Sequence, residues 1–227
     1  MAAVWSGKAS SLFRVEMSPK AARAAIGAYA ASASLQAAAA IESVGNRPVT
    51  FHALSLDAEG KPLPIIHSDE GFVLLFGNPD ATQLDQYLGA ILRPFPAGLL
   101  TPAGMVVANP VFASPALWAK FGPGAYHGAV IWSWQQALLA AGLERQLGRT
   151  DLPVGTRARL LGGRAALWRV ISTTRSLRNS ELWTWRAKRG QLRPSAFGAN
   201  SHDADESNAA QLWSTVYLAV RPGRSAR

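Results

Sequence analysis

Between residues 125 and 143 the chain reads AYHGAVIWSWQQALLAAGL, and its apolar residues keep to no single face. Val130, Trp134, Leu138 and Ala141 form one stripe at helical spacing, while Trp132, Leu139 and Leu143 fall elsewhere around the wheel. A helix over residues 128–147 with apolar bulk all round has to be buried on every side. Its N-terminal end nevertheless carries Tyr126, His127 and two adjacent glutamines.

Other helices are simpler. Ser18-Pro19 supplies an N-cap and first-turn pair ahead of an alanine-rich helix over 21–34, and a second one over 35–44 stops at Arg47-Pro48. Ser68 is placed to cap a buried helix over 69–76. Asn78-Pro79 opens the next, whose Leu84, Tyr87, Leu88 and Ile91 share a face before Pro94 and Pro96 end it. A helix over 156–175 directs Leu160, Leu161, Leu167, Trp168 and Ile171 inward. The last helix places Ala209, Leu212, Trp213, Val216, Tyr217 and Val220 on one stripe behind a D-x-x-E cap, Asp203 with Glu206.

Strand signals are few. Residues 49–56 (VTFHALSL) alternate, 57–60 read as a turn, and 61–66 return as a short hairpin. Residues 97–124 and 177–204 show no clear period and read as long loops, the kind that carry binding residues. Helices buried all round alternate with one-sided helices. Two concentric rings, with the end loops of the inner ring around a funnel, produce that alternation.

Composition narrows the function classes. Of 227 residues, 48% are hydrophobic and 16% charged, enough apolar mass for a substantial core, and the absence of cysteine removes disulfide and thiol chemistry. The net charge of +9 is spread along the chain and densest over 186–193, with no basic run of the kind that marks a nucleic-acid module, so no nucleic-acid partner is expected. No apolar run reaches the roughly 18 residues of a membrane span and no signal peptide is visible, which points to a cytoplasmic protein without a membrane partner. Trp5 and residues 12–15 read like the middle of a fold, as though an N-terminal half preceded them.

Candidate chemistry is then limited. There is no phosphate-binding glycine loop and no G-x-S-x-G. His52, His67, His127 and His202 lack zinc-ligand spacing, so neither metal nor cofactor is expected. Carboxylates and aromatics in loops at helix ends remain, which is how glycosidases are equipped: rings stack on sugar faces, polar groups bind hydroxyls, and two carboxyl groups flank the bond. Glu181 in NSELWTW stands out, with Trp183 and Trp185 close behind; an exposed loop glutamate is the plain alternative. Asp69 and Glu70 in HSDEGF are the next carboxylates, though acids in a first helical turn also favour the helix dipole.

Three motifs in order resemble the C-terminal half of the six-hairpin (α/α)6-toroid glycosidases, and among them the bacterial amylo-α-1,6-glucosidase part of glycogen-debranching enzymes. YHGAVIWSWQQALLAAGL is similar to the Y-H-x-G-x-V-W-P run entering an inner helix, NSELWTW to the P-E-L-F-x-G loop, and ESNAAQLWSTVYLAV to the C-terminal S-P-Q-A-W helix. Ser180 and Ser133 stand where that family has proline, and one residue fewer separates His127 from Gly128. The resemblance implies an all-α fold, an incomplete (α/α)6 toroid over 1–222 with a small β-hairpin insertion and a disordered tail over 223–227. It implies an inverting hydrolase of α-glucosidic linkages in glucan or oligosaccharide, with Glu181 as the base that activates water. Tyr126, His127, Trp132, Trp183, Asp69 and Glu70 are the expected substrate-binding residues, Gln211 and Trp213 pack behind the base, and the general acid lies outside the matched region. A non-catalytic carbohydrate-binding protein or truncated remnant is the alternative expectation.

Overall fold

The computed structural model describes residues 11–177 and 180–198, together with Val216 and Val220. The helix expected over the C-terminal stripe, including Gln211 and Trp213, and the tail over 223–227 lie outside the described residues.

The chain is a mixture of helix and short antiparallel strands. β1 (Arg14–Met17) leads into α1 (Pro19–Ser32) and α2 (Ala38–Ser43). Four strands follow: β2 (Val49–His52), β3 (Ser55–Leu56), β4 (Pro62–Leu63) and β5 (Ile66–His67). Next come α3 (Glu70–Phe76) and α4 (Ala81–Leu92), then β6 (Leu100–Thr101), β7 (Gly104–Met105), β8 (Ala108–Asn109) and the one-turn α5 (Pro115–Trp118). β9 (Ile131–Trp132) runs directly into α6 (Ser133–Leu147), which is followed by α7 (Val154–Thr173), β10 (Leu182–Lys188) and β11 (Gln191–Ser195). The strands pair as β1–β2, β3–β4, β5–β8, β6–β7 and the three-stranded β11–β10–β9. The all-α (α/α)6 toroid expected from the sequence is thus replaced by a mixed α and β architecture.

The overturning segments are the two read as loops. Residues 97–124 hold the β6–β7 hairpin and β8, and their polar groups are tied down. Asn109, fully buried, donates from Nδ2 to Pro96 O at 2.8 Å and Gly98 O at 2.7 Å, and its Oδ1 accepts from Val111 N. Gly104 turns the hairpin at φ 138°, where a Cβ would meet Ile131 Cγ2 at 2.6 Å. Residues 182–195 form a hairpin with Arg186 opposite Arg193.

The helices lie close to expectation. Ser18 caps α1, its Oγ accepting from Ala21 N at 3.2 Å. α4 is capped by Asp80, which forms a reciprocal capping box with Gln83. Asp80→Ala is expected to cost about 1 kcal/mol, measurable as a lowered urea midpoint. α6 is buried on several sides and does so with glutamines: Gln136 Oε1 accepts Met105 N at 3.0 Å, and Gln146 Nε2 reaches Leu74 O and Gly77 O. α3 packs closely against α6 because Gly71 faces Leu139 and Gly142 faces Leu74. α7 buries Leu160, Leu167 and Ile171, but Leu161 turns outward at 44% exposure. One cluster of buried side chains from α1, β2, α3, α4, α6, α7 and β10 forms the main core. Among the described residues no helix is long and apolar enough to cross a membrane.

Candidate carbohydrate site

Glu181 stands immediately before β10, where antiparallel pairing sets Leu182 against Trp132 and Trp183 against Ile131. The register fixes the glutamate backbone: Ser133 N donates to Glu181 O at 2.9 Å and Ser133 Oγ to the same oxygen at 3.1 Å. The first turn of α6 therefore holds the Glu181 main chain in place. Glu181 is only 4% exposed. Its Oε1 accepts the Tyr126 hydroxyl at 2.8 Å, whereas Oε2 is buried with no hydrogen-bond partner among the described residues. A buried acceptor in that condition forfeits about 1–3 kcal/mol, a cost that a donor arriving with a ligand or a water removes.

Around it lies an aromatic row. Tyr126 and His127 stand edge-on at 5.0 Å, as do His127 and Trp132 at 5.0 Å, while Tyr126 and Trp132 are tilted at 5.2 Å. Trp132 stacks on Trp134 at 5.3 Å and 29°. Trp134 continues to Phe72 and then to Phe76, which is 72% exposed. Phe197 of the segment after β11 closes the other side against Tyr126. Phe72, Phe76 and Phe197 were not legible as site residues in the sequence; the spacing of Phe72 and Phe76 by four on α3 is the signal that places both on one face.

Asp69 reaches the same row from the start of α3. Its Oδ1 accepts from Gln135 Nε2 at 3.1 Å, and the same amide donates to Ser68 Oγ at 2.9 Å. His67 Nδ1 lies 3.4 Å from Asp69 Oδ2. Burial pushes the Asp69 carboxyl up, but the hydrogen bond and charge of His67, the Gln135 amide and the charge of His127 together hold it below its ordinary value. With its side chain 53% exposed, Asp69 is an ionised acceptor facing solvent. A depressed carboxyl stabilises the fold above its unfolded pKa, and that contribution fades as pH falls through the lower folded value. The urea midpoint of the parent is therefore expected to exceed that of Asp69→Asn at pH 6, with the gap closing below about pH 4.

Two expected ligand residues belong to the interior. Glu70 turns away from Asp69: it is 5% exposed and its Oε1 meets His52 Nδ1 at 2.9 Å beside Tyr87. Burial, with the charges of Glu70 and Asp80, pushes the Tyr87 hydroxyl up to about 12. Trp183 is 1% exposed and donates its indole N–H to Ala103 O at 2.6 Å. It is a core side chain, not a sugar platform, because its strand register turns it toward the β6–β7 hairpin. Trp185 is likewise buried, donating to Ala129 O.

The structure thus brings together Glu181, Tyr126, His127, Trp132 and Asp69, and separates Glu70 and Trp183 from them. Among the described residues no three His, Asp or Glu side chains converge as a metal requires. No protein-family model matches the chain, and no curated protein matches it in sequence.

Proposed function

We propose that the aromatic cluster around Glu181, between β9 and the first turn of α6, binds an α-glucoside, in a cytoplasmic protein acting as an inverting glycoside hydrolase on glucan or oligosaccharide. The observation that carries the reading is the Glu181 carboxylate. One oxygen is oriented by Tyr126, and the other is buried without a donor among the described residues, beside a row of rings suited to a sugar's apolar face. In this reading Glu181 takes the proton of the attacking water while the departing glycosidic oxygen is protonated by an acid that lies outside the described residues; Trp132 and His127 stack on the sugar, and Asp69 with Gln135 accepts and donates to its hydroxyls. An inverting geometry requires the leaving-group acid roughly 6.5–9.5 Å from the base. The low pKa of Asp69 suits hydroxyl binding better than proton donation.

That same low pKa favours one second reading, a carbohydrate-binding protein without turnover. Incubation with malto-oligosaccharides and a branched glucan, followed by proton NMR of the first anomer released, separates the two. Inverted product supports hydrolysis, retained product rejects the water mechanism, and binding without product supports the second reading. Absence of both binding and product removes the sugar assignment.

A further inference from the structure

A depression of about 990 Å³ opens between β1, α4 and α7, and none of the residues that line it belongs to the aromatic cluster around Glu181. Four arginines line it, from four parts of the chain: Arg14 on β1, Arg47 before β2, Arg93 after α4 and Arg159 on α7. Two are matched by acids in the same wall, Arg14 by Glu16 at 2.8 Å and Arg159 by Asp85. Arg47 and Arg93 have no acidic partner among the described residues.

Arg93 is the unusual one. Its side chain is largely sunk into the wall, and burial holds its guanidinium pKa below the ordinary value. Nη1 is buried with no hydrogen-bond partner among the described residues. Gly89, one turn earlier, lets the guanidinium lie back along α4, since a Cβ there would come within 3.3 Å of Nη2. A solvated helix face does not sink a charge without pairing it, because an unpaired buried charge is costly. On the same helix Asp85 Oδ1 and Gln86 Nε2 are also buried without hydrogen-bond partners among the described residues. One wall of the depression therefore combines an arginine that has no acidic partner among the described residues with a carboxylate and an amide on the same helix.

We propose that this depression is a binding site for a small phosphorylated, hydroxyl-bearing molecule such as a sugar phosphate. The phosphate sits between Arg93 and Arg47, where a guanidinium fork matches two oxygens at once. The hydroxyls meet Asp85 and Gln86. Asp85 does not repel the ligand because Arg159 neutralises it. The volume falls in the range of small-molecule pockets, roughly 300–1,000 Å³.

Calorimetric titration of the full chain at low ionic strength with glucose 6-phosphate, inorganic phosphate and glucose tests this. Glucose 6-phosphate is expected to bind, and inorganic phosphate to bind more weakly and compete with it. Arg47→Gln, at an exposed position, and Arg93→Gln are each expected to weaken glucose 6-phosphate about tenfold or more, equivalent to about 1.4 kcal/mol. Glu181→Gln leaves that affinity unchanged. Thermal melting of each variant confirms folding, and if Arg93→Gln does not fold, Arg47→Gln alone carries the comparison. Absence of binding by both phosphate-bearing probes at millimolar concentration overturns the proposal. So does parental affinity in Arg47→Gln, or glucose competing as well as its phosphate.

Discussion

Glu181→Gln is expected to lower the turnover of malto-oligosaccharides by about 10²–10⁴-fold, the range for losing a positioned general base, with KM little altered. The amide keeps the size of the carboxylate and can still accept the Tyr126 hydroxyl through its carbonyl oxygen, so the pocket keeps its shape. What is lost is the proton-accepting oxygen, now an NH2 group. The loss therefore falls on kcat and not on substrate binding. Steady-state kinetics on parent and variant decide it, and equal kcat values would remove Glu181 from the chemistry. Because Ser133 holds the glutamate by its backbone, the substitution leaves the β9–β10 register unchanged.

Trp183→Ala carries the largest expected stability loss, about 3–5 kcal/mol for emptying a fully buried aromatic site. The side chain lies in the main core, and its indole N–H satisfies the carbonyl of Ala103 in the β6–β7 hairpin. Removing it leaves both a cavity and an unpaired carbonyl. Trp132→Ala is the contrast: that ring is partly exposed in the aromatic row, so sugar affinity falls while the urea midpoint moves far less. Measuring both quantities for both variants distinguishes a core tryptophan from a ligand-facing one. A Trp183→Ala protein with parental stability and weakened sugar binding would reverse the assignment.

The helices were legible because their signals are local. Ser18-Pro19 announces α1 and the Leu84, Tyr87, Leu88 and Ile91 spacing announces α4, whereas the helix expected over 128–147 begins only at Ser133, because Ile131 and Trp132 pair with β10, and its most buried face carries Gln135, Gln136, Leu139 and Leu143 rather than the Trp134, Leu138 and Ala141 stripe. The turn at 57–60 was readable too, since Asp57 Oδ1 accepts from Glu59 N and Lys61 N and Gly60 takes φ 76°, but only β3 and β4 pair across it, while β2 pairs with β1 and β5 with β8. The remaining strands were not. β5, β6, β7, β8 and β9 have two residues each, too few for alternation to show. β5 pairs with β8 and β9 with β10 across long stretches of chain, which no local pattern reports. β11 contains Pro194, tolerated because it occupies an edge. At the site, Glu181 and Tyr126 were each picked out, but their bond spans 55 residues and depends on that unseen pairing. Trp183 was misassigned for the same reason, as only the register reveals which way it turns.

The clamp of Ser133 on the Glu181 carbonyl has a consequence for the order in which the protein is made. Of the described residues of the aromatic cluster all but Phe197 precede Glu181 in the chain, so β9 and the first turn of α6 leave the ribosome without the strand that completes them. Until β10 arrives, Ile131 and Trp132 have no sheet neighbour on that side, and nascent chains at this stage present an apolar surface to chaperones and to one another. Closing so distant a pair also carries a loop-entropy cost before any contact offsets it. Assembly of the pocket is thereby tied to a late step of folding.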